Sequence, residues 1–193
     1  MSDLGARTAR DGAQALRNAL HEQGGTVAEV LSDPTPAARH TPLDRPGPAQ
    51  VAATGPRAQG REREYELLLE MILEGYRLHY DEPLVVRPQD VDLALLLGDQ
   101  LYALGLSRLA ALGDLDAVDE LADVISLVAQ AHAASDRELA QAVWEAGAVS
   151  VGWGSTEAHE DAKARARAQA AGAADALRAV ACAVRSELED PSL

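Results

Sequence analysis

Residues 91–132 read VDLALLLGDQLYALGLSRLAALGDLDAVDELADVISLVAQAH, and this stretch decides the fold. It has the pattern of two apolar helices hinged at Gly113-Asp114. The first, roughly Asp90 to Leu112, is apolar on almost every side. A narrow stripe of Asp92, Asp99, Gln100, Ser107 and Arg108 breaks that pattern at seven- and eight-residue spacing. A helix without a broad polar side belongs inside a packed core, since any face turned to water leaves apolar surface hydrated. It is therefore the expected centre and stability hub of the fold.

Outward from this pair the same period continues. Tyr65, Leu68, Leu69, Ile72, Tyr76, His79 and Tyr80 follow the i, i+3, i+4 rule, which predicts a helix starting near Arg61. Its carboxylates Glu62, Glu64, Glu66, Glu70 and Glu74 read as a solvated face. Pro83 and Pro88 bracket a loop, and Leu84-Val85-Val86 is too short for a useful strand. Asp90 and either Asp114 or Asp116 are placed to cap the two central helices. Ser135-Asp136-Arg137-Glu138 has the form of a capping box, with Ser135 as the cap. The helix it opens carries Leu139, Val143 and Trp144 and ends at Gly152-Trp153-Gly154, an expected tight turn with a tryptophan plug. A long Ala-rich helix then runs from Ser155 to near Glu189. Its second half has an apolar face of Leu177, Val180, Ala181, Val184 and Leu188, and Gly172 is a point where it can bend or split. These signals predict an all-α fold, a bundle of about five mostly antiparallel helices over residues 61–193.

Residues 1–60 look different. A weakly patterned helix over 4–22 carries Ala13, Leu16 and Leu20, and Gly24-Gly25 stops it. From Asp33 to Gly60 six prolines alternate with Ala, Gly, Thr and Arg. Proline withholds backbone donors and disfavours helix in the residue before it, so this stretch reads as a disordered linker. The expectation is a tether that the folded domain does not need.

The net charge of −14 is concentrated after residue 60, where 25 acidic side chains face 11 basic ones; residues 1–60 hold six of each. Such a surface repels phosphate backbones and disfavours nucleic acid as a partner. Most of that charge reads as a solubilising surface, with docking on a basic partner as the alternative. The single Cys182 excludes an intramolecular disulfide and suggests a small buried hydrophobe. No run of residues suits a membrane span or a secretory leader, which points to the cytoplasm, with peripheral membrane association still possible.

Chemistry-bearing patterns are sparse, and no complete catalytic constellation is present. Ser150 and Ser155 flank the glycine break without the strand that a nucleophile elbow requires. The polar candidates are His132, Asp136 and His159. His132 and Asp136 are four apart, but a helix end falls between them. His159-Glu160-Asp161 are adjacent and diverge around a helix. His79 and His132, on apolar faces, read as core-edge histidines with one hydrogen bond each. Neither a metal site nor a cofactor is expected.

The segment Leu95–His132 resembles the central helix pair of the trans-isoprenyl diphosphate synthases. Gly98, Asp99, Leu101, Tyr102, Leu109, Leu112, Gly113 and Leu121 match positions of that pattern. Active members hold magnesium on the substrate diphosphate with two Asp-Asp-x-x-Asp motifs, and this chain has no adjacent Asp pair. It is more similar to the small, non-catalytic subunit of two-component long-chain prenyl synthases. The resemblance implies a regulatory partner subunit in isoprenoid biosynthesis, with Gly98, Asp99 and Tyr102 facing the helical interior or a partner. The partner would be a catalytic prenyl synthase subunit, or a second copy in a homo-oligomer. Two other readings compete: a general helical adaptor or assembly factor docking through its N-terminal helix, and a small helical metal-dependent enzyme.

Overall fold

Three carboxylates spaced one turn apart on a single helix lie inside the protein. Glu66, Glu70 and Glu74 are 2%, 1% and 0% exposed, in a computed structural model that describes residues 7–33 and 43–189. Their helix, α4, spans Glu62–Tyr80, and around it stand α1 (Ala9–Gln23), α2 (Gly25–Glu29), α3 (Pro48–Ala53) and α5 (Val91–Ala111). The second half of the chain adds α6 (Leu115–Ala133), α7 (Arg137–Trp153), α8 (Glu157–Arg167) and α9 (Ala173–Glu189). The fold is all-α. Among the described residues the β-type pairing is one isolated antiparallel bridge, Leu31 to Val86.

The buried carboxylates are why the N-terminal segment belongs to the domain. A buried charge without a partner costs several kcal/mol, so each must be met. Arg7 donates to Glu66 at 2.7 Å, and the Gln50 amide donates to Glu66 at 2.9 Å and Glu70 at 3.0 Å. Glu74 accepts the backbone amides of Leu84, Val85 and Val86 at 3.1, 2.7 and 2.9 Å and pairs with Arg77 at 3.2 Å. Burial raises the pKa of Glu70, and Arg77 and Gln50 pull it part of the way back. Three of the five carboxylates expected on a solvated face thus form an internal polar seam, while Glu62 and Glu64 stay at the surface. Leu84, Val85 and Val86 are fully buried upon it.

The expectation of a dispensable tether over residues 1–60 is overturned for the part the structure describes. Thr8 and Asp11 form a reciprocal cap at the start of α1, and Ala13, Leu16 and Leu20 are within 1% of complete burial. Pro48 starts α3, suited by its fixed φ and missing donor. Gly47 N–H donates to the Gln50 side chain at 2.9 Å, and Ala49, Ala52 and Ala53 are buried. Two prolines that read as linker punctuation, Pro48 and Pro56, are helix starts. The expected disorder over 34–42 lies outside the described residues. With its apolar side covered, α1 is not a free docking helix.

A second correction concerns the centre. α4 buries twelve of its nineteen residues and α7 twelve of seventeen, whereas α5 buries five of twenty-one, so α4 and α7 form the middle and α5 lies outside. α5 packs chiefly along α4, while α7 is contacted by α3, α6 and α9. Glycines allow the close approaches. A Cβ on Gly98 would lie 2.7 Å from the His79 ring, and one on Gly105 2.5 Å from Ile72. One on Gly152 would meet the Ala52 carbonyl at 2.6 Å.

Most expected boundaries are found. Asp90 and Asp114 cap α5 and α6, accepting from Leu93 and Ala117 at 2.8 and 3.1 Å. Gly154, at φ +96°, ends α7 after Trp153. The cap of α7 is Asp136, accepting from Leu139 at 2.9 Å, one residue later than expected. Ser135 instead holds a left-handed conformation at φ +59° that ends α6. The long C-terminal helix is split, with Thr156 capping α8 and positive φ at Gln169 and Gly172 before α9. Over the described part of residues 61–193 the split makes six α-helices, α4 to α9, where about five were expected. Cys182 is exposed, because the inward line of α9 passes through Leu177 and Ala181 and the next residue turns away by about 100°.

A chain beginning at Arg61 would leave Glu66 and Glu70 without Arg7 and Gln50, and would strip the α1 and α3 faces from the core. It is expected to lose cooperative thermal melting by circular dichroism. Leu16→Ala and Leu69→Ala should each cost about 2–5 kcal/mol in urea unfolding, the range for leucines in packed cores. Leu96→Ala, on the outside of α5, should stay within about 0.5 kcal/mol.

Candidate functional site

α5 presents water with a surface that a solvated helix does not usually have. Val91 is 74% exposed, Leu95 40% and Leu96 64%, and Leu115 at the following turn is 61% exposed. Asp92, Leu96, Asp99, Ala103, Ser107 and Ala110 recur at three and four residues, which puts them on one line, and all six are exposed. Single exposed leucines are ordinary on protein surfaces; Val91, Leu95 and Leu96 near one end of the same helix leave an unusual amount of apolar surface in water. Fully burying one such leucine gains about 1.5–3 kcal/mol.

The structure places the family-like positions around this helix. Gly98 lies on the inner side, where the α4 and α5 backbones approach. Asp99 is on the outer side, its side chain 73% exposed, with an oxygen 3.1 Å from His79 Nε2 but off the line of a hydrogen bond. Tyr102 is half-buried, its ring stacked on His79 with centroids 5.4 Å apart and planes within 3°. Burial pushes its hydroxyl pKa up.

Behind Tyr102 is an aromatic cluster that uses four of the chain's six tyrosines and tryptophans. Tyr80 stacks on His132 at 4.6 Å, and Tyr76 meets the edge of Trp144 at 5.5 Å. His132 Nε2 is 3.0 Å from the Tyr76 hydroxyl, which donates to it when the imidazole is neutral with its proton on Nδ1. Burial, reinforced by Arg137 and opposed by Asp81, holds the His132 pKa below its usual value. Asp136 is occupied as the cap of α7. His159 is 3% exposed and 2.8 Å from Glu120. Lys163 reaches Glu120 and Asp123 at 2.8 Å each and Glu160 at 2.9 Å. Burial alone would lower the Lys163 pKa; its hydrogen bonds to Asp123, Glu120 and Glu160 outweigh that and raise it. This network joins α6 to α8. It was legible only as the His159/Lys163 i, i+4 pair, since Glu120 is 39 residues from His159.

The three polar candidates are therefore not brought together. His132 sits in the aromatic cluster, Asp136 at a helix start, and His159 in a charge network. Among the described residues no group of three or more His, Cys, Asp or Glu is arranged to hold a metal ion. A cleft of about 350 Å³ lies at the α5–α6 turn beside Arg57, Tyr65, Asp114 and Asp116. Its charged groups hold one another: Arg57 bonds both aspartates and the Tyr65 hydroxyl donates to Asp114. Burial, then that contact, pushes the tyrosine pKa up to about 12. The arrangement knits the turn to the start of α4. Among the described residues no helix is long and apolar enough to cross a membrane.

Compared with protein-family models, with curated proteins and with solved structures, the chain matches none. Its own geometry is what bears on function, and the outer face of α5 is the feature that the fold leaves without a use.

The depressed His132 pKa carries a sign. The unfolded chain takes up a proton near the ordinary imidazole value of about 6.5, before the folded one does. Stability should therefore be full above that value and fall as the pH drops through it toward the lower folded value. His132→Gln should flatten this part of a stability-versus-pH curve measured by urea unfolding. An unchanged slope would assign the dependence to other groups.

Proposed function

We propose that this chain is a non-catalytic helical partner subunit, working in the cytoplasm, that engages another protein through the outer face of α5. The observation that carries this reading is the mismatch on α5. Its sequence is apolar nearly all the way round, yet the rest of the fold covers one side. A partner covering the N-terminal half of that face would remove Leu96, with Leu95 or Val91 at its edge, from water, the usual reason for apolar side chains to stand on a surface.

In its narrower form, the partner is a catalytic prenyl diphosphate synthase subunit and the chain serves isoprenoid biosynthesis. What supports this is the resemblance carried by Leu95–His132, the segment that forms most of α5, the turn after it and nearly all of α6. Asp99 then acts at the protein contact and holds no metal. A diphosphate leaving group needs divalent cations and clustered carboxylate oxygens, and Asp99 is flanked by Gly98 and Gln100. A general adaptor or assembly factor would use the same face toward another partner.

The test is reconstitution with a co-encoded catalytic prenyl synthase subunit. The purified chain alone, given allylic and homoallylic diphosphates and magnesium, should form no product, and the mixture should be active. Leu96→Glu should break copurification and activity together while shifting the melting temperature by no more than about 2 °C, as an exposed substitution does. Product from the chain alone would overturn the non-catalytic reading. A complex indifferent to Leu96→Glu would remove α5 from the contact.

A further inference from the structure

The charges on the outer face of α5 specify what covers it. Along the exposed line the order is Asp92, Leu96, Asp99, Ala103, Ser107, Ala110, so the most exposed leucine stands between two aspartates about one turn to either side. Asp90, also exposed, extends the acidic character past the start of the helix, while Asp116 beyond its other end is met by Arg57. The neighbouring cations are engaged elsewhere: Arg108, half-buried, donates to Gln23 at 3.4 Å, and Arg57 is bound to Asp114 and Asp116. The exposed line thus alternates Leu96 and two alanines with two aspartates and a serine, so carboxylates flank the apolar contact it offers. We infer that it takes an amphipathic helix of a partner protein whose own apolar stripe is flanked by Lys and Arg. This rests on the reading of α5 as the docking face.

Size gives a second complementarity. Leu95 and Leu96 project near the N-terminal end, whereas Ala103, Ser107, Ala110 and Ala111 make the other half shallow. The incoming helix needs small residues opposite Leu96 and large ones opposite Ala103 and Ala110, about 10–20 Å further along at 1.5 Å per residue. Parallel pairing with a second copy would bring Asp92 onto Asp92 and Asp99 onto Asp99; an antiparallel copy would set Leu96 near Ala103, but two chains of −14 repel, so a basic partner is favoured over either. An anionic membrane surface is repelled by the same carboxylates.

The experiment uses the full chain, isotope-labelled for NMR, and two synthetic amphipathic helices with the same Leu/Ala stripe, one flanked by Lys and one by Glu. The Lys-flanked peptide should bind, with amide shifts concentrated in residues 91–111. Its affinity should fall at least tenfold between about 0.05 and 0.5 M salt, across which the Debye length shortens severalfold. Asp92→Asn with Asp99→Asn should weaken it about tenfold, and Leu96→Glu should abolish binding, with both variants keeping the parent melting temperature. Equal binding of the Glu-flanked peptide at the same amides would overturn the basic partner and leave the docking face standing. Shifts elsewhere on the acidic surface would overturn the site, as would no binding of the Lys-flanked peptide. If Leu96→Glu still broke the reconstituted complex in that last case, the face would survive with a different occupant. Leu96-dependent self-association in sedimentation would make the occupant a second copy and overturn the inference.

Discussion

Glu66, Glu70 and Glu74 form a row of carboxylates inside the protein, and most of the first half of the chain is arranged around meeting it. α4 can stand in the middle only if each of those groups finds a donor. The donors come from three directions: Arg7 at the start of α1, Gln50 in α3, and the Leu84–Val86 amides of the loop after α4. Arg77 lies 3.6 Å from Glu70 and 3.2 Å from Glu74, adding a cation within the same helix. An apolar row would have packed α1 and α3 less selectively, since apolar contacts are non-directional and hydrogen bonds are not. The seam therefore sets where the N-terminal segment sits, and the small alanine faces of α1 and α3 fill the space around it.

That seam also shows why part of the fold was illegible. A glutamate every fourth residue looks the same in sequence whether it faces water or a buried donor from another helix. The partners that decide the matter lie 16 to 59 residues away from their acceptors, at Gln50 and Arg7. The Glu120 network hid in the same manner. What was legible was local: the all-α class, the caps at Asp90 and Asp114, the Gly113 turn, the stop at Gly154 and the break near Gly172. The prolines misled because the same residue opens a helix at Pro48 and fills a linker elsewhere.

α5 is the informative failure. A helix apolar on all but a narrow stripe reads as one covered nearly all round, and the sequence carries no sign of which molecule does the covering. Inside this chain the cover is one-sided, with Gly98 and Gly105 drawing α5 onto α4 and Leu97, Leu101 and Leu109 filling the inner face. The mistaken expectation of a central helix and the proposed docking surface thus come from one property. Of the site candidates, Asp99 and Tyr102 do lie at this helix, on its outer and flanking sides, while His132, Asp136 and His159 serve stacking, capping and an internal ion network.

The contact between Gly152 and Ala52 has a consequence for how the protein is made. α3 rests on α7, about a hundred residues further along, and α1 rests on α4 with the seam between them. As the chain leaves the ribosome, α1 and α3 emerge before the helices of this fold that they lie against. Leu16, Leu20 and the alanine side of α3 must wait in water until α4, and then α7, have been synthesised. At roughly 5–20 residues per second that wait lasts seconds, long compared with the formation of a helix. The newborn chain therefore carries the apolar sides of α1 and α3 unprotected for that time, and a holding chaperone has its natural target there.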